Sequence, residues 1–345
     1  LTVWSILGGK PAARAGTPRR IVMKRFALTL VMLAAALVAP SLGHAQAYPA
    51  KPVRIFVTLS PGSPSDILAR VIAEQLAKSL GQPFVVENRP GAGGNIAGEY
   101  VVRQPADGYT LMLATISSHG INPAWYAKMP YDALRDFTPI VGLVASPNVL
   151  IVNNDVPVNS VQDLIAWIKA KPAGEVNYAS AGNGTSMHMS AELFQSMTGV
   201  KMTHVPYKGA PEGVLGVMKG EVTLMFPNAS TALSLAESGK VKLLAVTPPK
   251  RLSWLTAVPT VAEAVPGFDV MSWYGFVAPA GTPPEVVSKI NAESQKALTL
   301  PSVREALFKQ GFEIMGLPPQ EFAAYMQADV DKWTRLVNTA KLPKL

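Results

Sequence analysis

Twice in this chain an extended run turns through glycine and serine straight into a helix, and the two units are built alike. The first runs Val53-Arg54-Ile55-Phe56-Val57-Thr58-Leu59, then Ser60-Pro61-Gly62-Ser63-Pro64-Ser65-Asp66. Ile67, Leu68, Val71, Ile72, Leu76 and Leu80 follow at helical spacing, which predicts a helix over about 65–80. The second runs Val176-Asn177-Tyr178, then Ala179-Ser180-Ala181-Gly182-Asn183-Gly184-Thr185, then a predicted helix over 186–198. A strand that feeds a helix through so short a turn leaves several backbone N–H groups unpaired at the helix start. Together with the helix dipole they make a site suited to a carboxylate or phosphate. Ser63 and Ser65 either cap their helix or reach a ligand.

The rest of the chain keeps the alternation of short β-like and helical runs, which argues for α/β layers with a largely parallel sheet. A second strand at 84–88 leads into Arg89-Pro90-Gly91-Ala92-Gly93-Gly94-Asn95 and a helix over 96–102. This turn is not a dinucleotide fingerprint, because Ile96 stands where G-x-G-x-x-G needs its last glycine. A third strand at 109–115 ends at Ser117, Ser118 and His119, at a carboxyl end, where open α/β sheets bind ligands. Strands at 140–144 and 149–152 flank Ser146-Pro147-Asn148 and read as a crossing into a second domain, with 271–277 as the return strand. The expected domains are therefore 48–146 plus 277–345, and 147–276. Within the second, helices are expected at 161–171, 214–218 and 231–237, with strands at 222–226 (ending in Pro227-Asn228) and 241–246. Met187, Met189, Leu193 and Met197 form the buried or cleft-lining face of the 186–198 helix. The tail reads as helical at 284–298, 302–310 and 319–337.

The first 47 residues are expected not to belong to the fold. Met23-Lys24-Arg25, an apolar run from Phe26 to Val38, and Ala45-Gln46-Ala47 have the layout of a secretory signal peptide cleaved near Ala47. The apolar run is shorter than the roughly 20 residues that span a bilayer, and residues 1–22 precede the expected start Met. The remainder of the chain is long enough for two ordinary domains. The leader holds six basic and no acidic side chains, so the 31 Lys and Arg of the chain fall to 25 against 23 Asp and Glu. A basic excess that small, without a basic run interleaved with aromatics, excludes nucleic acid as a partner. The chain has no Cys, hence no disulfide framework, no thiolate metal site and no lipid-anchor cysteine.

Catalytic signatures are missing: no G-x-S-x-G elbow, S-x-x-K, Walker A loop or H-E-x-x-H. His119, His188 and His204 do not fall at a metal-ligand spacing, so neither a metal nor a cofactor is expected. Asp66, in a helix's first turn, complements the dipole rather than acting as a general base. His188, one turn into its helix, reads as a hydrogen-bonding cleft or core group, and Tyr207 either lends its hydroxyl to a ligand or packs.

Many ordered stretches from Tyr48 onward then match one family. They include Pro61-Gly62 through Asp66-Ile67-Leu68-Ala69-Arg70, Val86-Glu87-Asn88-Arg89-Pro90-Gly91-Ala92-Gly93-Gly94-Asn95, Pro105-Ala106-Asp107-Gly108-Tyr109 and Asn122-Pro123. Further on come Pro130-Tyr131-Asp132, Asp136-Phe137-Thr138-Pro139, Tyr178 through Thr185 with His188, Val205-Pro206-Tyr207-Lys208-Gly209, and Ser272-Trp273-Tyr274-Gly275. The chain resembles the periplasmic solute receptors of tripartite tricarboxylate transporters, the Bug or TctC-type receptors. The resemblance implies a type II periplasmic-binding-protein fold, two α/β lobes closing on a small organic anion delivered to membrane transport subunits, with the receptor a monomer. It also implies that the loops at Ser60–Asp66 and Ser180–Thr185 hold a ligand carboxylate or carbonyl. The expected ligand-binding residues are Ser60, Gly62, Ser63, Ser65, Asp66, Asn95, Ser117, Ser180, Gly182, Asn183, Gly184, Thr185, His188, Tyr207 and Asn228. The chain departs from the family pattern at Leu59 (usually near an aromatic), Ser63 (usually Gly) and Leu215 (often acidic nearby). The alternatives are a secreted enzyme acting on a small acid through Asp66 or His188, and a sensory module presenting its ligand to a membrane kinase.

Overall fold

The computed structural model describes residues 48–344, so the leader expected at 1–47 lies outside the described residues. The chain begins with β1 (Val53–Val57), α1 (Pro64–Leu80), β2 (Phe84–Asn88), α2 (Asn95–Val102) and β3 (Thr110–Thr115). A π-type turn over Ile116–Ile121 leads to α3 (Asn122–Trp125) and then β4 (Phe137–Pro147). Next come β5 (Val149–Val152), α4 (Val161–Lys169), β6 (Asn177–Ser180), α5 (Ser186–Thr198), β7 (Thr203–Pro206), α6 (Ala210–Lys219) and β8 (Leu224–Met225). They are followed by α7 (Ala229–Glu237), β9 (Lys242–Val246), α8 (Val261–Ala264) and the long return strand β10 (Met271–Pro279). The tail is α9 (Pro284–Thr299), α10 (Pro301–Lys309), β11 (Glu313–Leu317) and α11 (Pro319–Thr339). No helix among the described residues is long and apolar enough to cross a membrane.

These elements make two α/β lobes, one around a six-stranded sheet in the order β11-β4-β10-β3-β1-β2, the other around a five-stranded sheet in the order β7-β6-β8-β5-β9. The sheets are mixed rather than largely parallel. β1 runs parallel to β2 and β3, and β6 to β7 and β8. β10 is antiparallel to β3 and β4, β11 to β4, and β5 to β8 and β9. The crossing strands cause this: β10 re-enters the first sheet against its neighbours, whereas helical crossovers return the chain parallel. The tail also contains β11, where the sequence predicts only helices.

Each lobe is layered as period-2 strands and period-3.6 helices require. Val53, Ile55 and Val57 of β1 point into one face of the first sheet, with Leu68, Ile72 and Leu76 of α1 and Val286 and Ile290 of α9. Phe56, from the same strand, joins the opposite face with Ala97, Val101, Trp273 and Trp333. Fully burying each of these Leu or Ile side chains contributes about 1.5–3 kcal/mol. In the second lobe Met187 and Met189 of α5 are buried, but Met197 is 38 % exposed, so the expected methionine face ends before the last turn.

The lobes join where β4 ends and β10 begins, with Met271 opposite Pro147. A buried polar cluster marks the junction. Ser272 Oγ donates to Asn148 Oδ1 (3.2 Å) or Ser186 Oγ (2.8 Å) and accepts from Asn228 Nδ2 (3.2 Å). Asn148 Nδ2 donates to Phe226 O at 2.7 Å and to Ser186 Oγ at 3.3 Å. Ser186 is the first residue of α5, so the start of that helix is bonded to both crossing segments.

Candidate functional site

The first turn is held by Asp66. Its carboxylate accepts from the Gly62 N–H (2.9 Å), Arg70 Nε (3.0 Å) and Asn88 Nδ2 (3.0 Å), while Asn88 Nδ2 also donates to the Leu59 carbonyl. Burial pushes this carboxyl up, but the bonds from Arg70, Gly62 and Asn88 together outweigh it and hold the carboxyl below its ordinary value. Ser63 is the helix cap: its Oγ accepts from the Asp66 N–H at 3.3 Å and meets Ser65 Oγ at 3.1 Å. Its φ of −67° needs no glycine, which accounts for a serine at this departure from the family pattern. Leu59 and Leu215 are exposed, at 45 % and 42 %.

The second turn is closed by its own hydroxyls. Ser180 Oγ accepts from the Gly182 N–H at 3.0 Å and lies 2.6 Å from His204 Nε2. Thr185 Oγ1 donates to the Gly182 carbonyl at 2.8 Å and accepts from the His188 N–H at 3.4 Å, capping α5. The Tyr207 N–H donates to the Ser180 carbonyl at 2.9 Å. Tyr207 itself packs against the second-lobe core, and burial, with a smaller effect of Glu221, raises the pKa of its phenol.

The two helix starts differ in what they offer an anion. In α1 the first helical residue is Pro64, which has no N–H, and Ser63 occupies the Asp66 donor. That leaves Ser65 in the first turn. In α5 the Thr185 cap takes His188, and the N–H groups of Ser186 and Met187 have no partner within the helix. The second turn is therefore the richer donor, a distinction that the sequence alone does not draw. Neither 58–66 nor 180–188 contains a Lys or Arg, and the Arg70 guanidinium that reaches the first turn is paired with Asp66.

Asn122, which enters the sequence analysis only as part of the family match, links the elements. It is fully buried, and its Nδ2 donates to Asn95 Oδ1 (2.8 Å), the Gly93 carbonyl (3.1 Å) and the Ala92 carbonyl (3.4 Å). On its other side it meets the second lobe: a Cβ on Gly184 would lie 3.2 Å from Asn122 Oδ1 and 3.8 Å from the Trp125 ring. Gly184 has φ +75°, so a side chain there would be strained as well as crowded. Gly94 (φ +99°) brings the 91–95 turn against Thr58 and Ser118, where a Cβ would lie 3.0 Å and 2.9 Å from side-chain carbons. Trp125 also packs on His188, with ring centroids 5.0 Å apart.

The expected site residues therefore occupy different places along this seam. Gly184, Thr185 and His188 meet the first lobe through Asn122 and Trp125. Asn95 lies behind Asn122, its Oδ1 shared by Asn122 and the Tyr131 hydroxyl (3.1 Å). Ser60, Gly62 and Asn183 are exposed, Ser63 and Ser117 half-buried, and Ser65 and Ser180 fully buried. Asn228 stands at the lobe junction. His188 stacks on His204, centroids 3.9 Å apart. Burial, and secondarily His204, pushes the His188 pKa down to about 3; burial alone pushes His204 to about 4. Both imidazoles are neutral at physiological pH. No cluster of three or more His, Asp or Glu able to hold a metal occurs among the described residues.

Known proteins are similar to this chain in sequence and overall fold. BugT of Bordetella pertussis (strain Tohama I) is 35 % identical over 295 residues, covering 85 % of this chain and 90 % of BugT. An R. palustris protein solved with adipate is 39 % identical with a TM-score of 0.79, covering 86 % of this chain and all (100 %) of that one. MatC from Rhodopseudomonas palustris, solved with bound malate, is 31 % identical with a TM-score of 0.76, covering 84 % and 100 %. The profile of the tripartite tricarboxylate transporter family receptors matches residues 68–342. The chain belongs to the tripartite tricarboxylate transporter receptor family.

Proposed function

We infer that this chain is an extracytoplasmic solute receptor. Its lobes, 48–146 with 277–345 and 147–276, close on a small organic carboxylate and deliver it to the membrane subunits of a tripartite tricarboxylate-type transporter. It works in the periplasm, reached by way of the leader, and changes no bond in its ligand. The observation that carries this reading is the start of α5, whose Ser186 and Met187 N–H groups sit beside Gly184, the point where the second lobe meets Asn122 of the first. N–H groups donating to a carboxylate form charge-assisted hydrogen bonds, about twice as strong as neutral ones. Such a ligand favours the closed state by touching both lobes at once. The adipate and malate held by the two relatives are both small carboxylates. Asp66 and His188, the groups an enzyme would use, favour binding over catalysis: one is tied to three donors and the other is a buried neutral ring.

Native mass spectrometry of the purified protein tests this by identifying what co-purifies, and calorimetry with that compound measures its affinity. A bound carboxylate released unchanged supports the receptor. A compound without a carboxylate, or turnover of the ligand, overturns it.

A further inference from the structure

Two polar side-chain atoms at the seam are buried with no hydrogen-bond partner among the described residues: Asn122 Oδ1 and His188 Nδ1. Asn122 is 0 % and His188 6 % exposed. The Asn122 amide cannot turn over, because its Nδ2 faces three oxygens, those of Asn95, Gly93 and Ala92, and exchange would set oxygen against oxygen. Oδ1 is thereby fixed as an acceptor aimed at Gly184, in the turn that opens α5. His188 lies in the first turn of that helix, its ring between Trp125 and His204. Its Nε2 faces Glu192 Oε1 at 3.7 Å, beyond the reach of a hydrogen bond to an oxygen that already accepts from Tyr178 and Gln195, but repulsion between that carboxylate and a bare ring lone pair favours the single hydrogen of a neutral imidazole on Nε2. Nδ1 is then a lone pair. Leaving a buried acceptor unmade costs more than an average made bond returns, so this arrangement suits a donor brought in from outside the chain.

The same turn supplies the N–H groups assigned above to a carboxylate. Donors for a carboxylate and, within a turn of them, two uncharged acceptors match a molecule carrying both complements close together. We propose that Asn122 and His188 are specificity-determining residues that read an O–H or N–H on the carbon next to the bound carboxylate, so that the receptor selects 2-hydroxy or 2-amino acids over their unsubstituted parents. The inference rests on the carboxylate reading. An unsubstituted carboxylate brings these two atoms only C–H, and leaves their desolvation uncompensated.

Calorimetry with three matched series tests it: propionate, lactate and alanine; succinate, malate and aspartate; adipate, 2-hydroxyadipate and 2-aminoadipate. In a series that binds, a substituted member is expected to bind at least about tenfold more tightly than its parent, the effect of one hydrogen bond to an otherwise unpaired buried group. Asn122→Leu and His188→Phe, the latter keeping a ring in the stack, should each reduce that ratio. Should one variant fail to fold, the other decides. A stronger hydroxy arm assigns O–H and a stronger amino arm N–H. A parent that binds as tightly as its substituted partners, or a ratio unchanged in the folded variants, overturns the inference and leaves the carboxylate reading standing. No binding in any series overturns the inference, and a co-purifying compound without a carboxylate then overturns the carboxylate reading as well.

Discussion

Replacing Thr185 by Val removes one hydroxyl and keeps the shape of the side chain, and the loss can be worked through bond by bond. Thr185 Oγ1 donates to the Gly182 carbonyl at 2.8 Å, a bond worth about 1 kcal/mol net. It also accepts from the His188 N–H at 3.4 Å, a long contact that puts this cap near the low end of the range, about 0.5 kcal/mol. The sum, about 1.5 kcal/mol, lowers the melting temperature of a folded chain this size by about 2–3 °C. Binding should suffer as well. The cap fixes the direction of the Ser186 and Met187 N–H groups, and a hydrogen bond to a charged ligand is worth about 1.5–3 kcal/mol. Half of one such bond lost through misdirection, about 0.75–1.5 kcal/mol, weakens affinity by about three- to tenfold. Thr185→Ser, which keeps the hydroxyl, is the control. Calorimetry and thermal melts on both variants read the two effects. If Val lowers the melting temperature while affinity holds, or if Ser is as harmful as Val, the reasoning that this hydroxyl aims the donors is wrong.

Asp66→Asn should cost about 2 kcal/mol at neutral pH, mostly from the Gly62 and Asn88 bonds, since the half-exposed Arg70 pair contributes little. Because the folded carboxyl lies below its ordinary value, its contribution is present above the unfolded pKa of about 4 and lost as pH falls through the folded one. Urea midpoints of wild type and variant should therefore converge in acid, and a gap independent of pH would contradict the carboxylate's role. Gly184→Ala places a methyl 3.2 Å from Asn122 Oδ1 in a left-handed backbone, costing about 1 kcal/mol or more and holding the lobes apart. Small-angle scattering should then show less ligand-induced compaction than wild type; equal compaction would refute the contact. Ser272→Ala removes the hydroxyl shared by Asn148, Ser186 and Asn228 and should cost about 1–3 kcal/mol, read as a lower urea midpoint. An unchanged midpoint would mean that water replaces it.

How much of the structure is legible in the sequence depends on how far each interaction reaches. The starts of α1 and α5 are legible to within a residue because a cap, a proline and an apolar period are decided inside one turn. The count of free donors is not, since it depends on which hydroxyl rotates onto which N–H, and Ser63 and Thr185 each take one. β11 escapes detection because Glu313-Ile-Met-Gly-Leu carries a glycine and little alternation. Its extended form comes from pairing with β4 on the far side of the sequence, a tertiary choice that overrides local preference. Strand direction fails for the same reason: β10 has the composition of any buried strand, and only the path of the chain between lobes makes it antiparallel.

Asn122 is the sharpest case. Between Ile121 and Pro123, nothing local marks it as the point where the lobes touch. Its three oxygens come from the 92–95 turn, and its fourth neighbour, Gly184, from the other lobe. Each partner is silent by itself, since a backbone carbonyl is present at every residue and a glycine stands in many turns. What gives them meaning is convergence, which the fold supplies when the π-type turn brings Asn122 under the Gly-rich 91–95 loop. A fixed acceptor facing a donor-rich helix start is therefore a property of topology. A substitution at Asn95 removes one of the three oxygens and leaves the Gly93 and Ala92 carbonyls holding the amide, so it should alter the seam less than one at Asn122 itself.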